Sequence, residues 1–318
     1  MSNIKEKTFV IIDGQAIMHR AWHALPPLTM KGGAIVNAVY GFISILLKII
    51  KDLAPDYLAV AFDLPVPTFR HELYKEYKAK RVKQPQEFYD QFPILKNFLN
   101  EARIKYLEKP GLEADDLIGS LSCLGDKKIN KIIVTGDQDV LQLINESTKV
   151  LMLKRGISET VLLDEKEVEN KYGLKPSQMI DFKILRGDPS DNLPGIRGIG
   201  EKTAVGLLQK FKSVDGIYKH LDNLKKTEKS PIRDSVKKLL EEGRSTIELN
   251  KKLVTIKQDD IDQIKIDDFS FVSKDQLLGG LEHLGFKGLI KRISSNEQAA
   301  IKPSNEKIES KNKQNSLF

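Results

Sequence analysis

Acidic residues gather in three short stretches of this 318-residue chain. Glu113, Asp115 and Asp116 follow Gly111-Leu112, Asp137 and Asp139 follow Thr135-Gly136, and Asp188 and Asp191 lie in Arg186-Gly187-Asp188-Pro189-Ser190-Asp191-Asn192. Two further acids, Asp13 and Asp63, each stand directly behind a short apolar run. Taken singly, an acid after a strand is often a turn former and an acidic first helical turn is often a cap. Taken together, the set is better explained by a shared cation site. Two like charges about 4 Å apart repel by roughly 4 kcal/mol at an effective dielectric near 20, and divalent cations relieve that repulsion. With one cysteine and five scattered histidines, the donors are oxygens, which favours Mg²⁺ or Mn²⁺ over zinc. His19 and His23 share an i, i+4 face but lack surrounding acids, so they read as surface or core residues. Two such ions about 4 Å apart can activate water and stabilise the leaving oxygen of a phosphodiester.

The acids need elements that bring them together. The runs 9–12, 58–62 and 132–135 are short, apolar and rich in β-branched residues, and each leads into an aspartate. They read as buried parallel strands delivering acids at their carboxyl ends. Helical patterns at 35–53, 85–101 and 113–124 separate them, which predicts an α/β fold with a mostly parallel central sheet flanked by helices. Ligands of such sheets collect outside the carboxyl ends of the strands. From residue 164 the pattern turns helical, at 164–172, 176–185, 201–211, 231–242 and 276–285, with 259–268 as a connector. Residues 294–315 carry almost no apolar side chains and read as a disordered tail. The expected organisation is an α/β core over 1–175, a helical subdomain over 176–293 and a tail over 294–318.

The 51 Lys and Arg against 44 Asp and Glu give a formal charge of +7. A basic body attracts a polyanion while local acids hold the metal that acts on it, although a lysine-rich soluble protein would have the same composition. The lone Cys123 excludes an internal disulfide and fits a reducing cytoplasm; it is expected in the core. The polar start 1–7 and the short run 9–12 do not form a signal peptide. The longest apolar stretch, 42–50, is interrupted by Lys48 and too short to span a bilayer. A soluble, unexported, cytoplasmic protein associated with the nucleoid is expected, with no membrane partner.

Two stretches suit nucleic acid. Gly195-Ile196-Arg197-Gly198-Ile199-Gly200, followed by Glu201, Lys202, Thr203 and Ala204, has the form of a helix-hairpin-helix turn. Its glycines let backbone N–H groups approach a phosphate at the start of the next helix, and Lys202 adds charge. Residues 69–81, read as a helix, place Arg70, Tyr74, Tyr77, Lys78 and Arg81 on one face, where cations and aromatic rings could hold phosphates and stack a frayed base.

These residues together resemble the 5′-nuclease family, specifically the 5′→3′ exonuclease domain of bacterial DNA polymerase I and the related flap endonucleases. The resemblance runs from Thr8 to about Ile293 through Asp13-Gly14, Arg20-Ala21, Ala24-Leu25-Pro26-Pro27-Leu28, Tyr40-Gly41, Ala61-Phe62-Asp63, Tyr77-Lys78, Glu113-Ala114-Asp115-Asp116, Thr135-Gly136-Asp137, Gly187-Asp188 and residues 198–204. It implies a PIN-like core and two ion groups: Asp13, Asp63, Glu113, Asp115 and Asp116 in the first, Asp137, Asp139, Asp188 and Asp191 in the second. It implies that Lys78 and Arg81 lie on a gateway helix around 67–84 and steady the scissile phosphate. DNA contacts are expected from Arg20, Arg70, Tyr77, Gly195, Arg197, Gly198, Gly200, Lys202 and Thr203, with a K⁺ ion at the hairpin. Implied substrates are DNA with 5′ ends, flaps or nicks and RNA primers on DNA, handled by a monomer in primer removal and repair.

Two features depart from the family pattern. Gln138 replaces a Lys or Arg common between the two aspartates, which is expected to alter rate more than activity itself. No polymerase region follows, so the chain reads as a stand-alone nuclease or a fragment. The final residues, Gln314-Asn315-Ser316-Leu317-Phe318, resemble the peptide by which bacterial replication proteins dock on the sliding clamp, with Gln314, Leu317 and Phe318 as anchors. This match favours a natural end to the chain. Two other readings compete: a protein that binds branched DNA without cutting it, and a ribonuclease of the related toxin-type fold. The converging acids count against the first, the hairpin and helical subdomain against the second.

Overall fold

In the computed structural model, which describes residues 6–154, 159–225, 229–258, 261 and 263–294, the acid-bearing runs become neighbouring strands of one sheet. Its strands are β1 (Thr8–Asp13), β2 (Tyr57–Ala61), β3 (Tyr106–Leu107), β4 (Asn130–Thr135), β5 (Thr148–Leu153) and β6 (Thr160–Leu163). Their order is β3-β2-β1-β4-β5-β6. All pairs are parallel except β5 with β6. The chain leaves β1 to one side for β2 and later returns to its other side for β4, which opens a crevice at the carboxyl ends, next to Asp13.

Both faces of the sheet are covered, which explains why the strands read as unbroken apolar runs rather than alternating ones. Phe9 and Ile11 join one core with Leu117, Ile118 and Leu121 of the helix Ala114–Ser122. Val10 and Ile12 face the other, with Phe42, Ile45 and Ile49 of the long helix Asn37–Leu53. The expected helix over 85–101 divides into Gln86–Tyr89 and Gln91–Glu101. Pro93 supplies the reason: it has no N–H, and its ring would clash with the carbonyl four residues earlier if the helix ran through. Buried Gln91 then accepts hydrogen bonds from the N–H groups of Ala38 and Val39 at 2.8 and 3.3 Å, tying the two helices together.

The helical half divides in its packing. Helices Met179–Arg186, Glu201–Phe211, Val214–Asn223, Asp234–Gly243 and Ile247–Val254 extend the first core. Leu281, Phe286, Leu289 and Ile293, from helices Leu278–Leu284 and Lys287–Ser294 and the turn between them, return to the opposite face of the sheet. Part of the expected connector forms the 3₁₀ turn Ile266–Phe269, whose Phe269 ring packs 5.5 Å from that of Phe9. Cys123 is exposed rather than core, because its helix ends at Ser122 and the thiol sits beyond the last buried turn. Among the described residues no helix is long and apolar enough to cross a membrane.

A close crossing packs against the helix that carries Asp115. The segment after helix Ile247–Val254 runs over the helix Ala114–Ser122 so tightly that a Cβ on Gly119 would lie 2.3 Å from the Lys257 carbonyl oxygen. Alanine favours a helix over glycine by about 1 kcal/mol, but overpacking against backbone costs about 1–3 kcal/mol. Gly119→Ala is therefore expected to lower the unfolding free energy in urea titration despite its better helix propensity.

Candidate active site

Four aspartates meet at the crevice. Asp13 ends β1, Asp63 and Asp137 each follow a strand by two residues, and Asp115 lies in the first turn of Ala114–Ser122. With Gln15, Ala16, His19, Lys78, Arg81 and Ala114 they line a cleft of ≈ 230 Å³. Asp13 is fixed from both oxygens, accepting from the Ala16 N–H at 2.9 Å and the Thr135 hydroxyl at 2.6 Å. Asp63 accepts from the Ala114 N–H at 2.7 Å. These bonds orient the carboxylates without neutralising them. Burial, reinforced by Asp137 and Asp63, pushes the Asp13 carboxyl up to about 7. Burial and then Asp137, Asp13 and Asp139 push Asp115 well above the carboxylate range.

An all-oxygen set in which burial and mutual repulsion both resist charge is one that a divalent cation would relieve, so the residues fit Mg²⁺ or Mn²⁺. Among the described residues no three acids, imidazoles or thiols are drawn into a ready cage. Several of the acids are instead held by basic side chains.

Residues 67–84 depart from expectation. The helix covers only Phe69–Leu73; Tyr74 is extended, residues 75–80 form turns, and Lys78 takes a left-handed φ of 54°. Tertiary bonds outweigh the helical pattern here. The Lys78 N–H donates to the Asp191 carbonyl at 3.0 Å. The buried Tyr77 hydroxyl lies 2.9 Å from Glu113 Oε2 and 3.2 Å from Asp191 Oδ2. Burial and then those two acids hold the phenol above its ordinary range. Lys78 and Arg81 do reach the cleft, Lys78 paired with Glu113 at 2.8 Å and Arg81 with Asp191 at 2.6 Å. The single face that was to present Arg70, Tyr74, Tyr77, Lys78 and Arg81 together does not form.

Asp116 and Arg70 lie in the interior, paired with each other. Asp116 is 0% exposed and Arg70 2%. The guanidinium meets both carboxylate oxygens, at 2.6 and 2.8 Å, and also donates to the carbonyls of Leu253 and Thr255. Asp116 accepts further from the Lys257 and Glu113 N–H groups. Although burial acts upward on its pKa, Arg70 holds it below the ordinary value. Its place in the helix's first turn could not distinguish a ligand from this buried anchor. Tyr77 is likewise buried beneath the cleft, and Arg20 is half-buried, donating to the Leu153 and Lys154 carbonyls at the end of β5.

The second acidic group sits between the sheet and the helical half. Asp139 follows Asp137 in the turn after β4, and Asp188 follows the helix Met179–Arg186. Lys183 joins them, its ammonium in contact with Asp139 and 2.8 Å from Asp188. Burial, then Asp137, pushes Asp139 up to about 7. Against burial, Lys183 and Ser190 hold Asp188 at about 2. Lys183 was not anticipated; the signal was a lysine inside Phe182-Lys183-Ile184-Leu185 on an inward-facing helix.

The hairpin follows at once. Ile196 and Ile199 are buried, whereas Arg197, Gly198, Gly200 and Lys202 are exposed and Thr203 is half-exposed. Buried isoleucines anchor the turn and leave its backbone outward. Gly195 passes so close to the preceding helix that a Cβ there would lie 2.2 Å from the Gly187 nitrogen.

Removing one partner of a buried ion pair costs about 3–5 kcal/mol. Arg70→Met should lower unfolding free energy by that order in denaturant titration, and adding Asp116→Asn should recover part of the loss.

Residues 8–173 match the family model described as 5'-3' exonuclease, N-terminal resolvase-like domain, and residues 174–277 match 5'-3' exonuclease, C-terminal SAM fold. DNA polymerase I of Bacillus caldotenax is 36% identical over 301 residues, which cover 94% of this chain and 34% of that protein. DNA polymerase I of Caldicellulosiruptor bescii is 38% identical over 293 residues, 91% of this chain and 34% of that protein. The chain thus spans about a third of the length of these curated relatives. Among solved structures, T5 5'-exonuclease with divalent metal ions (zinc) bound aligns with a TM-score of 0.61 at 20% identity, over 88% of this chain and 99% of that one. The catalytic core of Rad2 in complex with DNA substrate aligns with a TM-score of 0.56 at 17% identity, over 88% and 89%. At these identities the structural likeness is one of fold.

Proposed function

Since the chain belongs to the 5′-3′ exonuclease family, whose two models match it from residue 8 to residue 277, we propose that it hydrolyses phosphodiester bonds in DNA bearing 5′ ends, nicks or flaps. The observation that carries this reading is the meeting of Asp13, Asp63, Asp115 and Asp137 with Lys78 and Arg81 in one cleft. Metal-bound T5 5'-exonuclease and DNA-bound Rad2 share the fold and support the same chemistry.

Asp13, Asp63, Glu113 and Asp115 would hold one Mg²⁺ or Mn²⁺, and Asp137, Asp139, Asp188 and Asp191 a second. When bound, such ions lower the pKa of water and stabilise the developing charge on the leaving oxygen. The chain's own residues do the rest. Lys78 and Arg81, now paired with Glu113 and Asp191, are within reach of the cleft and would turn to the scissile phosphate, where fixed cations stabilise the transition state. The hairpin presents backbone N–H groups and Lys202 to the duplex at the start of helix Glu201–Phe211, a turn suited to K⁺ as well. An α/β core over 1–175 would carry the chemistry and residues 176–293 most of the grip, in a monomer acting on DNA and on RNA primers during replication and repair in the cytoplasm. Gln138 would tune the rate.

The deciding assay uses 5′-labelled flap, nicked and single-stranded substrates with Mg²⁺, Mn²⁺ or chelator. Cleavage should require the ion. Asp115→Ala should slow it by roughly 10²–10³-fold, the loss typical of removing one group that stabilises transition-state charge, while binding in Ca²⁺ persists. Full activity in that variant or in chelator would refute the site; binding without any cutting by the wild type would favour the non-catalytic reading.

The clamp peptide lies within residues 295–318, outside the described residues. Two adjacent apolar side chains, Leu317 and Phe318, are the kind of anchor that peptide capture uses. Calorimetry against the bacterial sliding clamp should show binding that Leu317→Ala/Phe318→Ala abolishes; equal affinity in both would sink it.

A further inference from the structure

Lys183 is flanked by Phe182, Ile184 and Leu185, all buried. Only 11% of its side chain is exposed. Its ammonium contacts Asp139 from the turn after β4 and lies 2.8 Å from Asp188 in the loop after its own helix. Among the described residues Asp13, Asp63 and Asp115 form no comparable ion pair.

We propose that Lys183 is a positioning residue, a built-in cation that holds Asp139 and Asp188 when no ion is there and gives way when an ion enters the second group. The inference rests on the reading of those two acids as ion ligands.

The physical case is one of competition. Two carboxylates withdrawn from water cannot remain charged side by side without a partner, and lysine meets that need with a compact charge on a flexible stem. The same oxygens cannot fully satisfy an ammonium and a divalent cation at once. By linkage, the ion and the lysine weaken each other's hold by the same factor. The two groups would then load differently: the first by simple entry, the second by exchange. Lys183 lies in the helix just before the hairpin, so its release would also be felt where the duplex is gripped.

The test compares the full chain with Lys183→Met, by thermal unfolding in chelator and in Mg²⁺ and by calorimetric titration with Mg²⁺. Lys183→Met should unfold at lower temperature in chelator and gain more from Mg²⁺ than the wild type. Its second binding event should tighten by roughly tenfold, within the usual range for coupled sites. A variant folded only in Mg²⁺ would support the proposal equally. An unchanged Mg²⁺ gain, or a second event of equal or weaker affinity, overturns it.

Should Lys183→Met fold in neither buffer, Lys183→Arg decides. The guanidinium fork pairs more firmly with carboxylates, so its second event should weaken; an unchanged or tighter one overturns the proposal. A wild type that binds no divalent ion and cuts without one overturns the proposed function and this inference with it. Ion binding that ignores residue 183 overturns the inference alone.

Discussion

Carboxylate repulsion governs the architecture around the crevice. Asp13, Asp63, Asp115 and Asp137 are brought to one cleft by parallel strands and a helix start, and burial makes their charge harder to keep. The surrounding structure can be understood as the set of groups that make this crowding tolerable. Hydrogen bonds from Ala16, Thr135 and Ala114 orient the innermost acids. Lys78, Arg81 and Lys183 reach the acids at the edges, and Arg70 with Asp116 forms the closed pair beneath them.

That arrangement distinguishes neutralised acids from restrained ones. Asp116 is neutralised by a partner that is buried, bidentate and tied to two backbone carbonyls. Glu113 and Asp191 are neutralised by side chains that also line the cleft, so their partners can change. Asp115 has no such partner among the described residues; burial and then Asp137, Asp13 and Asp139 act against its charge, and Lys78, beyond ion-pair range, is the cation that favours it. A gradient therefore runs from a fixed charge pair in the first turn of that helix to acids at the cleft whose charge burial resists.

The strands and the acids behind them were legible in the sequence because buried parallel strands are continuous apolar runs and their ends are abrupt. The covering of both faces followed from the same property. The 69–81 segment departs from its helical spacing for a physical reason: Tyr77 and Lys78 are held by bonds to residues far along the chain, Glu113 and Asp191. Residue type alone could not separate Asp116 from Asp115, since both stand in one helical turn and only the face each presents decides its partner. Arg70 looked like a DNA contact because a buried arginine and an exposed one are spelled alike. Lys183 was visible in principle, as a charge inside an apolar stretch, but its meaning depends on two acids from different elements.

The return of helices Leu278–Leu284 and Lys287–Ser294 to the sheet also bears on how the protein is made. Leu281, Phe286, Leu289 and Ile293 join a core built mostly by residues 10–104, with Val134 and Leu153, so that early apolar surface waits for a late partner. During synthesis on the ribosome, at about 5–20 residues per second, the first half must emerge with this face still open to solvent. A chain released short of these helices would present exposed Phe98 and Tyr40 and invite aggregation. Emergence of these two helices, and not only folding of the segments before them, is thus what seals the sheet.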